Sequence, residues 1–217
     1  MAQTGNHTSM ASMPTGFDSH QEMSASVDQR GAERFTPMMR TAKLVARRGE
    51  MLCVVRDISD TGVAVKLFHP LPDQKALALE MADGTRHGLL PVWQSGERAG
   101  FRFAGEVDLA ELIAGVGNMP RRPLRLNIRF GVELVDCQGK HMAEIRNISQ
   151  QGASVVTSYR LSIDQRLRVQ AETLPELEAN VRWRHEDTYG LVFDDVLTFA
   201  QLARLAAQVQ AFPLEFR

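Results

Sequence analysis

Two arginine pairs share one spacing: Arg30 with Arg34, and Arg121 with Arg125. A guanidinium presents a planar fork of donors. It can grip a phosphate, or the O6 and N7 edge of guanine, through two parallel hydrogen bonds. Two such forks close together can serve both groups of one nucleotide. Taken alone, the spacing is a weak pattern and favours solvated linker arginines. A second pattern also occurs twice: Asp57, Ser59 and Gly62, then Asn147, Ser149 and Gly152. A short polar residue after a strand can shape a turn, and its free oxygen can accept from the N1 and N2 donors of guanine. The serine hydroxyl and the turn amides can meet phosphate oxygens. Glycine permits positive φ or close approach. Here too a purely structural corner would explain the residues. The combination carries more: 23 residues separate Arg34 from Asp57, and 22 separate Arg125 from Asn147.

The elements that must hold these residues are themselves duplicated. DISDTGVAV from Asp57 is echoed by NISQQGASV from Asn147, 90 residues later. Trp93 and Trp183, and Phe103 and Phe193, keep that offset, and Arg34 and Arg125 differ from it by one. A shift that four landmarks hold to within one residue identifies a repeat of one small module. Each copy reads as β. Ile128, Phe130, Val132 and Leu134 alternate with Asn127, Arg129, Gly131 and Glu133, the period of a half-buried strand. Asp136 to Lys140 is a turn before a strand running to Ile148. Lys43 to Arg47, MLCVV and VAVKL play the same parts in the first copy. Short strands with frequent turns predict a small antiparallel barrel, whose closure removes exposed edges. After the second copy, Phe199, Leu202, Ala206 and Val209 recur at helical spacing and predict an amphipathic C-terminal helix. DLAELIAG is its short counterpart in the first.

The ordered patterns, their interval and their repetition resemble the PilZ family. The resemblance spans about residues 30–114 and 120–210, and the later VxW and GxxF strands match it too. It implies a mainly all-β chain of two tandem six-stranded antiparallel barrels, with the amphipathic helix after the second. The expected organisation is a disordered tail over 1–29, a PilZ domain over 30–114, a linker over 115–119 and a second PilZ domain with its helix over 120–217. The resemblance also implies a receptor for cyclic di-GMP, whose arginines lie on a switch that clamps the ligand. By that analogy Arg30, Arg34, Arg121 and Arg125 contact guanine and phosphate, with Arg122 as an additional guanidinium. Asp57 and Asn147 take the guanine edge, Ser59 and Ser149 meet phosphate or guanine, and Gly62 and Gly152 shape the loop. Binding would alter how the modules sit together and act on an unidentified protein partner in motility, exopolysaccharide or biofilm output. The rival reading is a PilZ-like interaction adaptor that binds no nucleotide.

Other classes draw little support. Basic residues number 25 and acidic ones 26, so no bulk attraction to nucleic acid or anionic lipid is expected. A small-barrel nucleic-acid binder would favour a basic stripe with exposed aromatics. No apolar run approaches a membrane span and no secretory leader is read, so no membrane insertion is expected. Cys53 and Cys137 form no CxxC pair, which suits a reducing, cytoplasmic compartment. The six histidines, most of them expected at the surface, lack metal-site spacing, so neither metal nor cofactor is expected besides the ligand. Nothing argues for an enzyme. Asp194 and Asp195 read as a helix N-terminus. Trp93 and Trp183 could stack on a base, but their repeated strand positions favour core or inter-domain packing.

Overall fold

A computed structural model describes residues 39–73, 76–114, 123–212 and 214. The expected tail over 1–29 lies outside them. Hydrophobic alternation produces β1 (Arg40–Ala46), β2 (Gly49–Ile58), β3 (Gly62–Lys66), β4 (Leu77–Glu80), β5 (Arg86–Ser95) and β6 (Arg98–Phe103). These close into an antiparallel barrel in the order β1-β2-β3-β6-β5-β4. A short helix, α1 (Leu109–Ala114), follows. The second copy supplies β7 (Phe130–Asp136), β8 (Gly139–Ser149), β9 (Gly152–Val156), β10 (Arg166–Ala171), β11 (Leu174–His185) and β12 (Thr188–Phe193). Their closed order, β7-β8-β9-β12-β11-β10, is the same circuit. The chain is thus mainly β: two closed six-stranded barrels, as the repeat implied.

The inward faces are apolar in both. Leu44, Val55, Val65, Leu79, Leu89 and Phe101 fill the first barrel, and Leu134, Ile145, Val155, Val169, Val181 and Leu191 the second. The anticipated strand from Ile128 starts its ladder only at Phe130. Upstream, Leu126 forms an isolated bridge with Ile148, because residues 125–127 are held elsewhere.

Helix α2 (Phe199–Val209) begins at a capping box in which Thr198 and Gln201 satisfy each other's backbone amides. Asp194 is not part of that N-terminus. Its carboxylate accepts from Arg166 at 2.9 Å and from Asn180 at 2.6 Å, tying the end of β12 to neighbouring strands. The buried face of α2 is Leu202, Ala203, Leu205, Ala206 and Ala207. Ala207 and Phe212 belong to the first barrel's core, while Leu52 of β2 belongs to the second's. The two cores therefore interlock. Among the described residues no helix is long and apolar enough to cross a membrane.

Candidate functional site

Both polar turns follow a β-bulge. The register of β2 shifts between Val55 and Asp57, and that of β8 between Ile145 and Asn147. An extra residue reverses the strand's in-out parity. Val55 and Ile58 are buried, yet Asp57 between them points outward; Ile145, Asn147 and Ile148 repeat this. The serines belong to the turns. Ser59 Oγ accepts from the Gly62 amide at 3.2 Å, and the fully buried Ser149 donates to the Gly152 carbonyl at 3.1 Å. The glycines are required by close approach. A Cβ at Gly62 would lie 2.4 Å from the Phe101 carbonyl oxygen, and one at Gly152 2.1 Å from that of Leu191.

Cross-strand pairing extends each turn into a shelf. Asp57 pairs with Ala64, Ala64 with Gly100 and Gly100 with Trp93. Asn147, Ser154, Gly190 and Trp183 form the same row. Directly paired residues share a face, so each row spans three inter-strand steps, roughly 14 Å. Its two middle members are small. The indole covers the glycine: a Cβ at Gly100 or Gly190 would come within 2.2 or 2.0 Å of the indole nitrogen. Trp93 and Trp183 remain 45% and 47% exposed, so they are neither core nor inter-domain packing residues. A second pair of bulges, between Pro91 and Trp93 and between Val181 and Trp183, turns them outward. The sequence signal available was the Trp–Gly pairing itself, repeated at the common offset.

Of the predicted arginines, Arg30, Arg34, Arg121 and Arg122 lie outside the described residues. Arg125 is brought to the second site: its guanidinium donates to Asn147 Oδ1 at 2.9 Å. In the first site Asp57 meets Arg98 instead, at 3.4 Å, an exposed pair that sequence reasoning missed. Thr188 occupies the position equivalent to Arg98 in the repeat. Beside the second turn, Thr41, Ala82, Leu124, Gln150, Gln151 and Phe199 line a cavity of about 330 Å³ between the barrels. Among the described residues no group of His, Cys, Asp and Glu could hold a metal ion. Two further groups are set by burial. It pushes the Cys53 thiol up, leaving it protonated and inert. It also lowers the His69 pKa, against the opposing hydrogen bond to the Pro70 carbonyl. His69 is only 2% exposed.

No curated relative matches the chain in sequence. Among solved structures, PlzA of Borreliella burgdorferi in complex with c-di-GMP is 13% identical with a TM-score of 0.34, covering 79% of this chain and 87% of that one. The Bacillus subtilis inhibitor of motility, MotI/DgrA, is 12% identical with a TM-score of 0.33, covering 78% and 94%. YcgR of Escherichia coli in complex with c-di-GMP is 11% identical with a TM-score of 0.31, covering 78% and 81%. Likeness at this level assigns neither a ligand nor a residue role to this chain. The PilZ domain family model, by contrast, matches residues 120–211, which include the Arg125–Asn147 contact, the shelf and α2. It is the PilZ family that residues 120–211 match.

Proposed function

We propose that this protein is a cyclic di-GMP receptor that transmits ligand binding to a protein partner and performs no chemistry itself. The observation that carries this reading is the Arg125–Asn147 contact at the end of a shelf ending in an exposed tryptophan. The arrangement suits guanine. Asn147 Oδ1 can accept from its N1 and N2 donors, and Arg125 can then turn its fork to phosphate or to the O6 and N7 edge. The small residues of the shelf leave room for a flat base, and Trp183 can stack on it. Asp57, Ala64, Gly100 and Trp93 offer the same surface in the first barrel. Arg30, Arg34, Arg121 and Arg122 supply the remaining guanidinium groups. Ser59, Gly62, Ser149 and Gly152 serve the site by holding the turns in shape, with turn amides available to phosphate. The ligand engages the arginines next to the inter-barrel contact, and its binding changes how the barrels fit. No membrane insertion or nucleic-acid binding belongs to this reading, and the protein acts in the cytoplasm.

Isothermal calorimetry with cyclic di-GMP tests it. Arg125→Ala removes a charge-assisted contact of about 1.5–3 kcal/mol, so affinity at the second site drops roughly tenfold or more. Wild-type protein that takes up no cyclic di-GMP would leave the adaptor reading in its place. Unchanged binding in an Arg34→Ala, Arg125→Ala double variant would reject the arginine mechanism.

A further inference from the structure

The segment bearing Arg125 is gripped by the first barrel. Lys43 of β1 is almost fully buried, and its ammonium has three donors. It meets three acceptors: Glu50 Oε2 at 3.1 Å, Glu80 Oε1 at 2.8 Å and the Arg125 carbonyl at 3.0 Å. Glu50 Oε2 also accepts from the Asn127 amide at 2.9 Å, and Glu50 Oε1 from Asn127 Nδ2 at 2.8 Å. Between these two anchor points, Leu126 exchanges backbone hydrogen bonds of 2.8 and 3.0 Å with Ile148, the neighbour of Asn147.

We infer that Lys43 and Glu50 are positioning residues for the second barrel's ligand site, acting through the main chain of Arg125 and Asn127. The inference rests on the proposed ligand reading of that site. Two observations separate it from simple adhesion between barrels. Burying charges is expensive, and apolar residues of similar volume would hold two surfaces together at least as well. What the cluster adds is direction, because the ammonium and carboxylate contacts define where residues 125 and 127 lie. The barrel itself does not require this charge order either. At the repeat-equivalent positions Glu133 and Lys140 carry the opposite signs, and their 2.7 Å pair faces solvent. A site positioned from the neighbouring barrel is linked to it in both directions: contacts that favour the ligand-competent Arg125 are strengthened by the ligand in turn.

Calorimetry in an Asp57→Ala background reads cyclic di-GMP at the second site, at a temperature where circular dichroism shows each variant folded. Glu50→Gln should weaken binding about tenfold and speed hydrogen exchange at the Leu126 and Ile148 amides of the free protein. The Lys43→Glu, Glu50→Lys double variant keeps an ion pair but sets acceptor against the Arg125 carbonyl and donor against the Asn127 amide. It should lose as much affinity as Glu50→Gln. Wild-type affinity in either variant overturns the inference. Should neither fold, Asn127→Ala, at an exposed residue, removes one grip from the other side; severalfold weaker binding supports positioning and unchanged binding overturns it. If the Asp57→Ala protein and the wild type both take up no cyclic di-GMP, it is the ligand reading that fails. Exchange at Leu126 and Ile148 then decides the grip by itself, and an unaltered rate in Glu50→Gln overturns it.

Discussion

The first, second and fourth strands of each barrel carry equivalent positions with opposite fates. On the first barrel Lys43, Glu50, Leu52 and Glu80 lie beneath the segment around Arg125 and helix α2. Their counterparts on the second, Glu133, Lys140, Met142 and Gln170, occupy the same registers on β7, β8 and β10. Leu52 is fully buried in the neighbouring barrel's core, whereas Met142 is 69% exposed. A barrel's outer face is therefore not a fixed environment. A strand's alternation decides which side chains leave the barrel, but not whether they meet water or another module.

The largest expected contrast comes from removing one member of the ion cluster. Lys43→Met leaves the buried Glu50 without its cation and Glu80 with Arg86 alone, and should cost about 3–5 kcal/mol in urea unfolding. Glu133→Met at the exposed counterpart should change stability by about 0.5 kcal/mol or less. Equal effects would erase the distinction between the two faces. Next is the apolar pair. Leu52→Ala should cost about 2–5 kcal/mol, while Met142→Ala should stay within about 0.5 kcal/mol; thermal unfolding of both variants reads the difference.

The smallest effect is in acid. Burial raises the Glu80 pKa, but hydrogen bonds and charge from Lys43 and Arg86 outweigh it and hold the carboxyl below its ordinary 4.5. A depressed carboxyl contributes stability that is present above the unfolded value and is lost as pH falls through the folded one. Glu80→Gln should therefore shallow the loss of stability below about pH 4.5. The counterpart position already holds Gln170, so Gln170→Ala should leave that acid limb unchanged. An acid limb identical in the wild type and Glu80→Gln would show that the buried cluster does not contribute to it.

The same parity argument explains what could be read in advance at the candidate site. Val55 and Val181 follow the period of two and were legible as inward residues. Asp57 and Trp183 sit two positions later, where a regular strand would point inward again. A bulge after each valine turns them out. An extra unpaired residue leaves no mark on hydrophobic periodicity, so the tryptophans read as core or inter-domain packing. The arginine and polar-turn motifs were legible as chemistry and spacing. Their partners were not: Arg125 meets Asn147 across 22 residues, while Asp57 meets Arg98 two strands away on the outer face.

By itself the sequence determined the duplication, the β character of each copy, the C-terminal helix and the paired motifs. Those properties reside in residue type and short-range period, which act before any distant contact forms. Tertiary structure alone decided that Lys43 and Glu50 face the main chain of Arg125 and Asn127 rather than solvent. That outcome depends on how two barrels pack, through contacts between residues some 80 positions apart, and local alternation carries no information at such range.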